Sequence, residues 1–290
     1  MNSIHIQLHS THRIILTLII SSLLFPFSSF LSIHGYPTRA NIFIYAGCSQ
    51  EKYQLNSPFE TNLNSFLSSL ITSSSQTIYN TFAIGNDSSA ASEGSIFGLY
   101  QCRGDLQPID CSKCVARLVS QIGLVCPYTL GAYLQLDGCY IRYEHFDDFL
   151  GKVDTSIRYK KCSNTASTDT EFFRRRDDVL ADLESANGFR VSSSGLVQGF
   201  AQCFGDLTVL DCSSCIADAV GKLKSLCGSA AAVDVFLGQC YARYWASGYY
   251  DESGPSHDDQ VGKSVAIIVG VFAGLAILVI LLSICKKTMG

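Results

Sequence analysis

The sequence is poor in charge. Of its 290 residues only 16% are Asp, Glu, Lys or Arg, while 47% are hydrophobic. That balance excludes a disordered chain, which is too polar and self-repelling to bury a core. A basic excess is also missing. The formal net charge is −4, which argues against nucleic acid as a partner. Pro and His number 6 each, and no spacing brings a nucleophile together with a base. His145 stands near Asp147 and Asp148, a cluster expected on an exposed loop; His257 is the other outer histidine, and His34 lies near the expected cleavage of the leader. The expectation is a non-enzyme without cofactor or metal.

What is abundant is cysteine, with 13 in the chain, and apolar residues, with a mean hydropathy of +0.21. The length allows two domains. Two apolar segments frame the rest. His12-Arg13 precede an apolar run from Ile14 to Phe25 that is too short to span a bilayer, so residues 1–35 read as a secretory signal peptide. Val265 to Cys285 carries no charge over 21 residues. At ~1.5 Å per residue it reaches ~31 Å, close to the hydrocarbon thickness of a bilayer. Lys286-Lys287 follow it, and Asp258 and Asp259 precede it. The charge pattern predicts one transmembrane helix over 265–285, an outer portion before it and a cytoplasmic tail of residues 286–290. From Asn41 to Gly262 there are 16 Lys and Arg against 25 Asp and Glu, a net charge of −9. An acidic ectodomain repels polyanions and tolerates neutral glycans or basic proteins.

Between the apolar segments lies a duplication. Cys48, Cys102, Cys111, Cys114, Cys126 and Cys139 form one set; Cys162, Cys203, Cys212, Cys215, Cys227 and Cys240 form the other. The last five of each set follow C-x8-C-x2-C-x11-C-x12-C, at a constant offset of 101 residues. Gly98, Gln101, Asp110, Tyr140, Arg142 and Tyr143 recur at the same offset as Gly199, Gln202, Asp211, Tyr241, Arg243 and Tyr244. The gap after the first Cys is shorter in the second copy, which predicts a trimmed loop or strand. Six Cys per exported domain imply three disulfides each, and six Cys allow 15 connectivities. Cys111-Ser-Lys-Cys114 and Cys212-Ser-Ser-Cys215 superficially match redox or zinc motifs, but each of these four Cys has a place in a six-Cys frame.

Each copy shows two helical patterns among short apolar runs. Ser57-Pro58-Phe59-Glu60 predicts a capped helix start with Phe59, Leu63, Phe66 and Leu70 on one face. Thr168 and Glu171 are expected to start its counterpart. Asp110 and Asp211 are expected as N-caps of the second helix in each copy. Runs at 42–45, 78–83, 96–101, 132–136 and 140–143 predict antiparallel strands. The expected fold class is α+β: two tandem disulfide-braced domains at 41–149 and 155–254, each with two helices on a small antiparallel sheet, then the membrane helix. Residues 152–170 read as a polar connection and 249–263 as a stalk.

The cysteine frame resembles the ginkbilobin-type, salt-stress/antifungal domain of plants. Two such domains, a membrane helix and a very short tail resemble the plasmodesmata-located protein family, a kinase-lacking relative of the cysteine-rich receptor-like kinases. The resemblance implies the pairs Cys48–Cys126, Cys102–Cys111, Cys114–Cys139, Cys162–Cys227, Cys203–Cys212 and Cys215–Cys240. It also implies a sugar site in ginkbilobin built from an Asn, an Arg and a Glu. Those positions are Ser49, Tyr133 and Glu144 in the first copy, and Ser163, Asp234 and Trp245 in the second. Only Glu144 keeps the family residue, so mannose binding is not expected and Glu144 reads as a solvated carboxylate.

Further candidate positions are the sequon at Asn86, the small-residue stripe Ala266, Gly270 and Gly274 for helix association, and Cys285 for palmitoylation. By resemblance the protein resides in the plasma membrane at plasmodesmata, type I, with an apoplastic ectodomain, and regulates cell-to-cell trafficking. The implied partners are related proteins in homo- or hetero-oligomers, receptor-like kinases, callose-regulating machinery, viral movement proteins and wall glycans. The competing expectations are a partner of cysteine-rich receptor-like kinases at the plasma membrane, a membrane-held lectin or antifungal module, and a thiol oxidoreductase.

Overall fold

The structure is a computed structural model and describes residues 39–85, 93–247 and 249. The expected signal peptide, Asn86, most of the stalk, the segment 265–285 with its Ala266, Gly270 and Gly274, and Cys285 lie outside them. Among the described residues no helix is long and apolar enough to cross a membrane. The chain divides into two compact domains, 1–150 and 151–290.

The first domain opens on a short 3-10 turn, Arg39–Asn41, and continues β1 (Phe43–Cys48), α1 (Pro58–Ser74), β2 (Tyr79–Ile84), β3 (Ile96–Cys102), α2 (Pro108–Val125), β4 (Ala132–Leu136) and β5 (Cys139–Glu144). Its five strands pair in the order β1-β4-β5-β3-β2, all antiparallel. The second domain repeats this with β6 (Ile157–Cys162), α3 (Thr170–Glu184), β7 (Phe189–Ser194), β8 (Val197–Cys203), α4 (Val209–Cys227), β9 (Ala232–Leu237) and β10 (Cys240–Ala246). Its sheet runs β6-β9-β10-β8-β7. Among the described residues the four helices and two sheets have the expected kinds and order, and the strands of the first domain lie within a few residues of their expected limits.

Local chemistry explains the helix starts, and corrects three of them. Ser57 Oγ accepts from Glu60 N at 3.3 Å, and the Glu60 carboxylate accepts from Asn56 N at 2.6 Å, so the box is closed one residue early. Asp110 is not an N-cap. Pro108 fixes the first helical φ and needs no N–H partner, which starts α2 after Gln107 and places Asp110 in the first turn. Asp211 likewise lies in the first turn of α4, where Thr208 Oγ1 accepts its N–H at 3.2 Å. The cap of α3 is Asp169, which accepts from Glu171 N at 2.9 Å, rather than Thr168.

The expected connection 152–170 contains an edge strand, β6. Its Arg158, Lys160 and Lys161 hide it from a search for apolar alternation, and such charges discourage edge-to-edge pairing. The residues before it are fastened to the second domain. Gly151 N donates to Asp206 Oδ2 at 2.9 Å, Asp154 N to Gln239 Oε1 at 3.1 Å, and Lys222 Nζ to the Thr155 carbonyl at 3.3 Å. The trimmed segment of the second copy is mainly a turn: two residues join β7 to β8, whereas eleven join β2 to β3.

In each domain both helices bury one apolar face against one face of the sheet. Phe59, Phe66, Leu70, Val115, Leu118, Ile122, Leu134 and Ile141 belong to the first core; Val179, Leu180, Leu183, Ile216, Val220, Leu223, Val233 and Val235 belong to the second. The recurring Gly98 has a steric cause. A Cβ there would lie 2.5 Å from Phe66 Cζ and 2.8 Å from the Arg142 carbonyl oxygen. Six disulfides join the pairs that the resemblance implies.

Candidate functional site

The sugar-type positions fall on the sheet face opposite the helices and at the adjoining rim. In the first domain Gly47, Tyr133, Arg142 and Leu99 are successive lateral neighbours across β1, β4, β5 and β3. Tyr133 takes the position of the family Arg and leans over β1: a Cβ on Gly47 would sit 2.1 Å from its ring. The counterpart row in the second domain is Lys161, Asp234, Arg243 and Phe200.

Each row contains one guanidinium paired with a carboxylate, which lies outside the row in the first domain and within it in the second. Arg142 Nε donates to Glu144 Oε1 at 3.1 Å, two residues along the same strand, and its guanidinium lies 4.1 Å from the Phe149 ring centre. In the second domain Trp245 replaces Glu144, and Asp234 faces Arg243 across the strand pair. Arg243 Nε and Nη2 donate to Asp234 Oδ1 and Oδ2 at 2.6 and 3.2 Å. Phe200 and Phe236 lie 5.3 and 5.7 Å from that guanidinium. The pair is buried, with 2% and 9% of the side chains exposed. A two-point pair of this kind satisfies both groups in a place where either alone would be costly.

The expectation of a solvated Glu144 is therefore corrected. Its side chain is 26% exposed, paired with Arg142, and its other oxygen lies where a Cβ of Gly131 would be. Arg142 was missed as a partner because it stands three residues after Cys139, not at the family Arg position. His145 also departs from an exposed-loop reading: it is half-buried, with Nδ1 2.9 Å from the Ser95 carbonyl oxygen and its ring against Phe59.

Glu144 forms one wall of an open recess of about 70 Å³ in the first domain. Ser49, Glu51, Leu130, His145, Phe146 and Asp148 complete it. Its chemistry is acidic and aromatic. In the second domain a depression of about 10 Å³ lies between Lys161, Ser163, Asp234 and Tyr249, of which Ser163 and Tyr249 take the positions of Ser49 and Asp148. Burial raises the Tyr159 phenol there, with the Asp234 charge adding to it. Ser163 is spent on backbone, its Oγ 2.7 Å from the Thr165 carbonyl oxygen. Cys111 and Cys114 do not bond to each other; their partners are Cys102 and Cys139, and the second domain matches. No dithiol or thiolate pair is therefore present in these motifs for redox exchange or metal ligation.

Comparisons with known proteins agree with this architecture. The Salt stress response/antifungal family matches residues 47–146 and 160–247. Plasmodesmata-located protein 8 of Arabidopsis thaliana is 60% identical over 276 residues, 94% of this chain and 99% of that protein. Plasmodesmata-located protein 6 of the same plant is 41% identical, over 95% of this chain and 96% of that protein. The crystal structure of the tandem DUF26 ectodomain of an Arabidopsis cysteine-rich receptor-like protein matches with a TM-score of 0.67 at 61% identity. It covers 72% of this chain and 100% of that one. With two braced copies of one domain in a shared topology and a likeness that runs nearly end to end, the chain belongs to the plasmodesmata-located protein family.

Proposed function

We propose that this chain is a non-enzymatic type I membrane protein resident at plasmodesmata. Its tandem domains face the wall space and regulate cell-to-cell trafficking by binding other proteins or wall glycans. The observation that carries the reading is the 60% identity to Plasmodesmata-located protein 8 over almost the whole chain. Twelve cysteines held in six disulfides fit an oxidising exterior rather than the cytosol. Regulation would pass through the segment 265–285 and through oligomers with related proteins, receptor-like kinases or the callose machinery.

A fluorescent fusion of the full chain tests this in plant tissue. The expected outcome is puncta at wall junctions, with altered spread of a mobile dye when the protein is removed. An even distribution over the cell surface, or dye movement unchanged by its loss, overturns the reading.

A further inference from the structure

We propose that the first domain docks a basic, partly apolar segment of a partner protein on a surface that its repeat copy lacks. The inference deepens the reading above by giving the chemistry of the protein bound, and rests on it. The surface begins at Tyr128, 52% exposed and held at φ 61°, a backbone conformation that disfavours any side chain. Strain kept for an exposed aromatic points to use of that aromatic. Its ring lies 6.0 Å from Tyr53, Tyr53 lies 5.3 Å from Phe59, Phe59 lies 5.8 Å from His145, and His145 lies 4.5 Å from Phe146. Phe146 is 55% exposed at the far end. Aromatic surface thus emerges on both sides of a buried link.

The recess with Glu51, Glu144 and Asp148 adjoins this aromatic path at His145 and Phe146, which line it. Leu130 N donates to the Glu51 carbonyl at 3.0 Å, which ties the loop of Tyr53 to the recess floor. Among the described residues the carboxylates of Glu51 and Asp148 have no ion-pair partner; Glu144 has Arg142. Lys52, the neighbouring cation, directs its ammonium to the Pro127 carbonyl at 2.9 Å. Carboxylates flanked by aromatic faces suit Lys and Arg side chains, through ion pairing and cation–π contact together.

The second copy serves as an internal control. Its residues equivalent to Tyr53, Tyr128, Glu51, Glu144 and Phe146 are Ser167, Ser229, Thr165, Trp245 and Ser247. Every acid and every exposed ring of the surface has been replaced there, while the fold has not changed. The acidic, aromatic surface is thus confined to one of two domains that share a sheet topology.

The test uses the full chain in neutral phosphatidylcholine nanodiscs and a fluorescent synthetic peptide in which Lys alternates with Tyr, with a Glu–Tyr peptide beside it. Binding of the Lys peptide is expected, weakened by salt. Glu51→Gln with Asp148→Asn should raise its Kd by about tenfold or more. Tyr128→Gly should also weaken it, without lowering the melting temperature, since glycine accepts that backbone angle. Glu184→Gln with Asp218→Asn, the same charge change in the second domain, should leave the Kd within about twofold. Equal binding of the Glu peptide, equal loss in the second-domain variant, or a recess that takes free mannose in preference to the Lys peptide overturns the proposal. Puncta at wall junctions are scored separately, so loss of peptide binding with puncta intact sinks the docking surface alone.

Discussion

Cys102 and Cys139 are direct partners across β3 and β5, yet they are not bonded to each other. Each reaches instead to α2, through Cys111 and Cys114. Together with Cys48–Cys126 this fastens one helix at its beginning, its first turns and its end to three different strands. Cys203 and Cys240 repeat the relationship around α4. A bridge between neighbouring strands would brace what the hydrogen-bond ladder already holds. Bridges to the helix fix the two layers to each other.

These bridges should differ in worth. Cys48–Cys126 closes a separation of 78 residues and Cys102–Cys111 one of 9. In the chain-entropy account the former stabilises by about 4.5 kcal/mol and the latter by about 2.6 kcal/mol. Paired Ser substitutions, compared by urea unfolding, should rank in that order; the reverse order would place the effect in the native state instead.

The glycines make a sharper contrast. Gly98→Ala must displace Phe66, and Gly199→Ala puts a methyl group 2.6 Å from the Arg243 carbonyl oxygen. Each should cost about 1–3 kcal/mol. Gly221, in the middle of α4, has nothing within 4 Å of its would-be Cβ. Gly221→Ala should stabilise by about 0.5–1 kcal/mol. Thermal melts of the three variants settle the sign of each.

The buried pair of the second domain predicts strong coupling. Asp234→Ala leaves Arg243 buried without its carboxylate and should cost about 3–5 kcal/mol. Replacing both by Leu should cost less than the single change. A double-mutant cycle measures the difference, and additive losses would show that the pair does not act as one unit.

Alkaline pH should act through Tyr143. Burial holds its phenol up, to about 12, against the opposing effect of its hydrogen bond with Thr129. The unfolded phenol ionises near pH ~10. Its contribution is therefore complete below pH ~10 and is lost as pH rises toward 12, by an amount of order 2 kcal/mol. Tyr143→Phe should flatten the stability curve over that window. At the acid end, hydrogen bonds from Arg174 and Arg175 hold Glu171 down to about 2, so it should stay ionised throughout the mildly acidic range. NMR titration of its carboxyl carbon checks this.

The repeat was the part most legible in the sequence, because the cysteine spacing, Gly98 with Gly199, and Arg142 with Arg243 are copied at one offset. The helix faces were legible for the same reason that they exist: Phe59, Leu63, Phe66 and Leu70 must meet one sheet. β6 was not, since an edge strand satisfies its ladder through the backbone and leaves Lys160 and Lys161 in solvent. Nor were the helix starts, where Pro108 outweighs Asp110. The carboxylate partners of the two arginines could not be read at all. One comes from the same strand and the other from across a pair, and only the register decides which. The aromatic path from Tyr128 to Phe146 was invisible for the same cause: it joins three loops that are distant along the chain.

The anchoring of residues 151–156 has a practical meaning for dissecting the molecule. The family match for the second copy begins at residue 160, inside β6. A fragment cut there discards Gly151, Asp154 and Arg158, and leaves Asp206 and Gln239 without the main-chain groups they receive. The compact second domain starts at residue 151, so what looks like a tether between modules is the first course of masonry in the second.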